Sequence, residues 1–95
     1  MAISQSIMQD VEIAAKILLE AGAKEVYVFG SAAHGKERPG SDIDLAVRGL
    51  PDEVFFEAMS RIVFAISREF DLVALDDASL FTEYLERKGE LVRVA

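Results

Sequence analysis

Gly30-Ser31, a gap of ten residues, then Asp42-x-Asp44 is a spacing of residue types that can do chemistry. In the run VFGSAAHGKERPGSDIDLAV, residues 28–47, the Gly-Ser pair follows an apolar, strand-like stretch and the two carboxylates lie inside the next one. At i and i+2 of a strand, the side chains of Asp42 and Asp44 leave the same face about 7 Å apart. Two such charges repel unless a cation sits between them. A divalent metal is the obvious candidate, and beside a Gly-Ser turn its obvious use is a phosphate-bearing ligand. Gly30 lets backbone approach a ligand with no Cβ in the way, and the Ser31 hydroxyl with nearby amides can face a phosphate tail. Taken alone, the pair is a turn with a serine cap, and only its spacing to the aspartates gives it a further use.

The elements that must position these groups follow from periodicity and breakers. Ile3, Ile7, Val11, Ala14 and Leu18 recur at helical spacing with Ser4 or Ser6 as a cap and Gly22 as a stop, predicting a helix over residues 6–21. Val26 to Phe29 reads as a buried strand that delivers the chain to Gly30. Pro39-Gly40-Ser41 marks a turn, and Asp42 to Val47 reads as a second strand. Only twelve residues separate the two strands, so antiparallel pairing is the simpler closure. Gly49-Leu50-Pro51 breaks that strand, and a helix is expected from Asp52 to Glu69. One of its stripes is Phe55, Met59, Ile62 and Ile66 and another is Phe56, Val63 and Phe64, so it is apolar on more than one side. A third strand, Phe70 to Leu75, carries Asp71; a last helix, Ser79 to Lys88, ends at Gly89, and Leu91 to Val94 is an edge strand.

Two competing motifs fail. Gly30-Ser-Ala-Ala-His-Gly35-Lys36 nearly spells a P-loop, but Glu37 stands where Ser or Thr must hold magnesium, and Pro39-Gly40 would end the required helix within a turn. An EF-hand fails at Ala46 and Val47, where a third oxygen ligand and the turn glycine belong.

The chain of 95 residues is expected to form one domain over 1–95 with one core. Its formal charge of −7 argues against gripping nucleic acid through phosphates, which needs a basic face. The absence of cysteine excludes disulfides and thiolate metal sites and suits a reducing cytoplasm. The opening MAISQSIMQDVE carries no basic, apolar leader pattern and no run approaches a membrane span, so a soluble cytoplasmic protein is expected. Apolar residues make up 52% of the chain, enough to leave some for a partner to cover.

Gly30-Ser31, Asp42-x-Asp44 and a downstream strand carboxylate, Asp71 in FDLVALD, together resemble the signature of the polymerase-β-like nucleotidyltransferases, and within them the minimal nucleotidyltransferases (MNT domains). The preceding helix and the ending ERKGELVRV fit in order as well. The resemblance implies an α/β (α+β) fold, a small mixed sheet flanked by helices. It implies that Asp42 and Asp44 bind two Mg2+ ions and that Asp71 helps hold the catalytic ion and accepts the proton of an attacking hydroxyl. Three carboxylates against two divalent ions make an empty site electrostatically strained. The resemblance also assigns Gly30 and Ser31 to phosphate binding. Where the family often has an arginine shortly after the pair, this chain has Ala33 and His34, which leaves Lys36 or Arg38 to neutralise the β and γ phosphates.

The activity so implied is transfer of a nucleoside monophosphate, AMP from ATP, onto a hydroxyl. Relatives of this kind work beside a small helical toxin of the HEPN type and attach AMP to its tyrosine. A homo-oligomer is the other way to cover the second helix. The alternative function is a non-catalytic nucleotide-binding or antitoxin module that restrains such a partner by contact. Three strand carboxylates, for which a pure binding module has no need, favour the enzyme.

Overall fold

Ile7, Val11, Ala14, Ala15 and Leu18 form the buried stripe of helix α1, Gln5–Glu20, in a computed structural model that describes residues 5–30, 42–77, 79–88 and 91–95. The candidate cap Ser4 and the side chain of Ser6 lie outside what is described. At the far end, Gly22 adopts φ +118° while the Gly22 N–H donates to Leu19 O and the Ala23 N–H to Leu18 O. That is a Schellman closure, in which a glycine turns the chain without a Cβ penalty.

Strand β1, Glu25–Phe29, pairs antiparallel with β2, Ile43–Arg48, in a register running from Glu25 opposite Arg48 to Phe29 opposite Asp44. Helix α2, Asp52–Ala65, then carries the chain to β3, Phe70–Ala74, which lies parallel to β2 with Asp71 directly opposite Asp44. Helix α3, Leu80–Lys88, and the two-residue strand β4, Val92–Arg93, complete the order, β4 pairing antiparallel with β1. The sheet order is β3-β2-β1-β4. The expected small mixed sheet with helices is the observed fold.

Strand alternation divides the apolar residues between two faces. Val26, Val28, Ile43, Leu45 and Val47 are buried with α1, with Ala58 and Ile62 from α2, and with Ile66 just beyond it. Phe29 and Ala46 form a smaller core with Leu75 and with Leu85 of α3. Arg48 fastens α3 to this second face, pairing with Glu25 at 3.1 Å and with Glu86.

Several boundaries move. Asp42 precedes β2 instead of opening it, β3 stops at Ala74, α3 begins at Leu80, and β4 has only two residues. The larger correction is at α2, which ends at Ala65 instead of Glu69. Ile66 is extended, with φ −123° and ψ 154°, yet remains buried, and its N–H still donates to Ile62 O at 3.0 Å. Residues 66–69 are needed to cross to the sheet, where the Ile43 N–H donates to Glu69 O. Phe56 and Phe64 are 78% and 88% exposed, and Val63 is exposed with them, so the second stripe of α2 is not covered by the described residues. No described helix is long and apolar enough to cross a membrane.

Candidate active site

The end of β1 and the starts of β2 and β3 lie side by side, which brings Gly30, Asp44 and Asp71 to one end of the sheet. Asp42 shares this end, two residues ahead of Asp44, and is exposed, as is Asp71. Asp44 is half-buried. Burial pushes its carboxyl above the usual carboxylate range, and the charges of Asp71 and Asp42 push in the same direction.

Gly30 has φ +72°, and a Cβ built on it would overlap Asp44 Oδ2. The glycine is therefore required twice, for its backbone conformation and for the room it leaves the carboxylate. Gly30→Ala is expected to cost about 1–2 kcal/mol in denaturant unfolding, from the left-handed backbone, and to drive the Asp44 carboxylate off its position. An undiminished thermal shift with magnesium-ATP in that variant would show that the close approach has no bearing on the site.

Ser31, Lys36 and Arg38, expected to hold phosphates, lie outside the described residues, as do Ala33 and His34. Asp76, the other carboxylate of the FDLVALD run, accepts a hydrogen bond from the Gly49 N–H at 2.6 Å beyond the opposite end of β2. Asp71 is therefore the carboxylate of that run that reaches Asp44.

A groove of about 360 Å³ opens beside the cluster, with Asp42 and Asp71 on one side and Val63 and residues 66–70 around it. Its loop is anchored to α1 by Arg68, whose Nε lies 3.3 Å from Asp10 Oδ2. No pattern in the sequence marks this groove, since the α2 periodicity runs on through Ile66. On the α3 side, Phe29 packs against Phe81, with ring centroids 6.0 Å apart and planes at 67°.

The donor set suits Mg2+. Every candidate ligand is a hard oxygen, and the half-buried carboxylate sits against a glycine between two like charges. Among the described residues no group of three or more His, Cys, Asp or Glu side chains is drawn together as a ready-made metal cage. Mg2+ commonly takes one or two carboxylates and completes its shell with water and phosphate oxygens, so a closed cage is not what this ion requires.

A mixed four-stranded sheet with carboxylates on adjacent strands beside a glycine turn is the arrangement of a polymerase-β-like nucleotidyltransferase. Residues 9–93 match the family described as polymerase beta, nucleotidyltransferase, and the chain belongs to it. Among solved structures, a chain from a toxin–antitoxin pair crystallised with AMP-PNP is 26% identical with TM-score 0.68, over 88% of this chain and 70% of that one. A candidate minimal nucleotidyltransferase is 25% identical with TM-score 0.72, over 99% and 97% of the two chains. A chain of the complex between the tri-AMPylated HEPN toxin of Shewanella oneidensis and its MNT antitoxin shares the fold at 22% identity and TM-score 0.63, over 90% and 69%. No curated protein gives a significant match. The resemblance to minimal nucleotidyltransferases of toxin–antitoxin pairs stands.

Proposed function

We propose that this chain is a magnesium-dependent nucleotidyltransferase that moves AMP from ATP onto a hydroxyl, the tyrosine of a HEPN-type partner. The observation that carries the reading is the alignment of Asp44 with Asp71 across two strands, beside a glycine that admits the Asp44 carboxylate. The similar chain crystallised with AMP-PNP in a toxin–antitoxin pair supports a nucleotide substrate and a protein partner.

When bound, Mg2+ would be held by Asp42, Asp44 and Asp71 and would offset negative charge on the attacking and departing oxygens. Gly30 and Ser31 would bind the triphosphate, and Lys36 and Arg38 would neutralise its outer phosphates. The acceptor hydroxyl enters along the groove beside Asp71. Its oxygen forms a bond to the α-phosphorus as the bond from that phosphorus to the bridging oxygen breaks, and pyrophosphate leaves. Asp71 accepts the hydroxyl proton at a carboxylate oxygen and passes it to water. The test is incubation of the full chain with α-labelled ATP, Mg2+ and proteins that co-purify with it. Label that appears on a partner tyrosine and vanishes with γ-labelled ATP supports the reading; no label on protein under any condition overturns it.

A second reading, restraint of a partner by contact alone, is favoured by the uncovered α2 stripe. Patches of this kind are typical of surfaces that another chain buries. Phe56→Lys combined with Phe64→Lys is expected to abolish association in sedimentation while magnesium-ATP binding persists. Because both rings are exposed, apo stability should move by no more than about 0.5 kcal/mol per site. Collapse of the fold in the double variant would instead place both rings in the core.

A further inference from the structure

We infer that Phe81, extended by Tyr84 one turn further along α3, is the stacking platform for the nucleobase; this rests on the nucleotidyltransferase reading and gives its nucleotide a second point of attachment. The carboxylates and Gly30 account for the phosphates, but among the described residues at that end of the sheet none holds the rest of a nucleotide. The neighbouring surface does. Phe29, only 8% exposed, is the register partner of Asp44, and side chains so paired have Cβ atoms about 5 Å apart on one face. Phe81 packs edge-on against Phe29. Its ring therefore stands one side chain removed from Asp44, as a base stands one sugar removed from its α-phosphate.

Phe81 is 49% exposed and Tyr84 50%, so each aromatic keeps half its surface open to a ligand. The platform is also held still. Ser79 and Thr82 cap α3 reciprocally, the Thr82 N–H donating to Ser79 Oγ and the Ser79 N–H to Thr82 Oγ1, each at 3.2 Å. The buried Thr82 hydroxyl further donates to Asp77 O at 2.8 Å. A capping box of this kind fixes the first turn, on which Phe81 sits. Stacking tolerates any base because every base has a π-face, and its strength alone sets preference. The platform therefore prefers purine over pyrimidine triphosphates and discriminates little between adenine and guanine.

The test separates base from phosphates by titrating the full chain with magnesium-ATP and with magnesium-tripolyphosphate, which has no base. In the wild type ATP should bind the tighter. Phe81→Ala should weaken ATP about ten-fold or more and leave tripolyphosphate unchanged. Phe81→Leu, which keeps the contact with Phe29 apolar, should do the same with unaltered melting, separating lost stacking from lost fold. The chain contains no tryptophan, so Phe81→Trp introduces a single reporter, whose fluorescence ATP should quench and tripolyphosphate should not. Equal loss for both ligands in Phe81→Leu, or loss for neither, overturns the platform while leaving the phosphate site intact. A wild type that binds neither ligand overturns the nucleotide reading, and the platform with it.

Discussion

Asp71→Asn should lower transfer of AMP to the acceptor by about 10²–10⁴-fold, the usual range for losing a general base, while affinity for magnesium-ATP changes far less. Asn matches Asp in shape but can neither accept the hydroxyl proton nor supply a full charge. The residue is exposed at the start of an edge strand, so the fold should not register the change, and melting should stay within about 0.5 kcal/mol of wild type. Single-turnover rates measured at saturating nucleotide would isolate the chemical step. Undiminished transfer would remove Asp71 from the reaction, and Asp76 could not inherit the role, because it is engaged by Gly49 beyond the far end of the sheet.

The second large effect is on ligand-dependent stability. At a hundred-fold excess over its dissociation constant, magnesium-ATP should stabilise the wild type by about 2.7 kcal/mol, a melting shift on the order of 10 °C for a domain of this size. Asp42→Asn with Asp44→Asn should erase that shift. Asp44→Asn alone should act in the opposite direction on the cation-free protein. Because the Asp44 carboxyl is held above its ordinary range by burial, Asp71 and Asp42, it binds its proton more tightly folded than unfolded. Its contribution to stability is thus fully present below the ordinary carboxylate value and is lost as pH rises through the raised one. The variant should therefore melt higher than wild type at neutral pH, the gap closing on acidification. A variant that melts well below wild type at neutral pH without divalent ions would assign Asp44 a structural role.

The order of elements was legible because Gly22, Pro39-Gly40 and Gly49-Leu50-Pro51 bracket them. The end of α2 was not. Ile66 continues the stripe of half-buried Phe55 and Met59 and buried Ile62, and the chain buries it in an extended conformation as well as a helical one would have done. Apolar spacing reports burial and cannot distinguish those two routes to it. Asp42 and Asp44 could be brought to one end of the sheet from sequence because they are only two residues apart, although Asp42 itself precedes β2. The alignment of Asp71 with Asp44 depends on a parallel register set by a crossover of more than twenty residues, for which no local signal exists. Phe81 was invisible for a different reason. An aromatic in a short helix reads as core, and only the contact with Phe29 shows which half of it remains open.

The crossover that sets this register is α2 itself, so the helix with the uncovered aromatic stripe is covalently tied to the strand bearing Asp71 by the four residues from Ile66 to Glu69. Mechanically, these residues form a short connecting rod pinned midway to α1 by Arg68 and Asp10. A body gripping Phe56, Val63 and Phe64 would hold the driving end of that rod, and the driven end is one member of the carboxylate cluster. Displacing α2 against the sheet loads β3, which among the described residues is braced along one edge by β2, whereas Asp44 is clasped by strands on both sides. Asp71 is thus the compliant jaw of the site and Asp44 the fixed one.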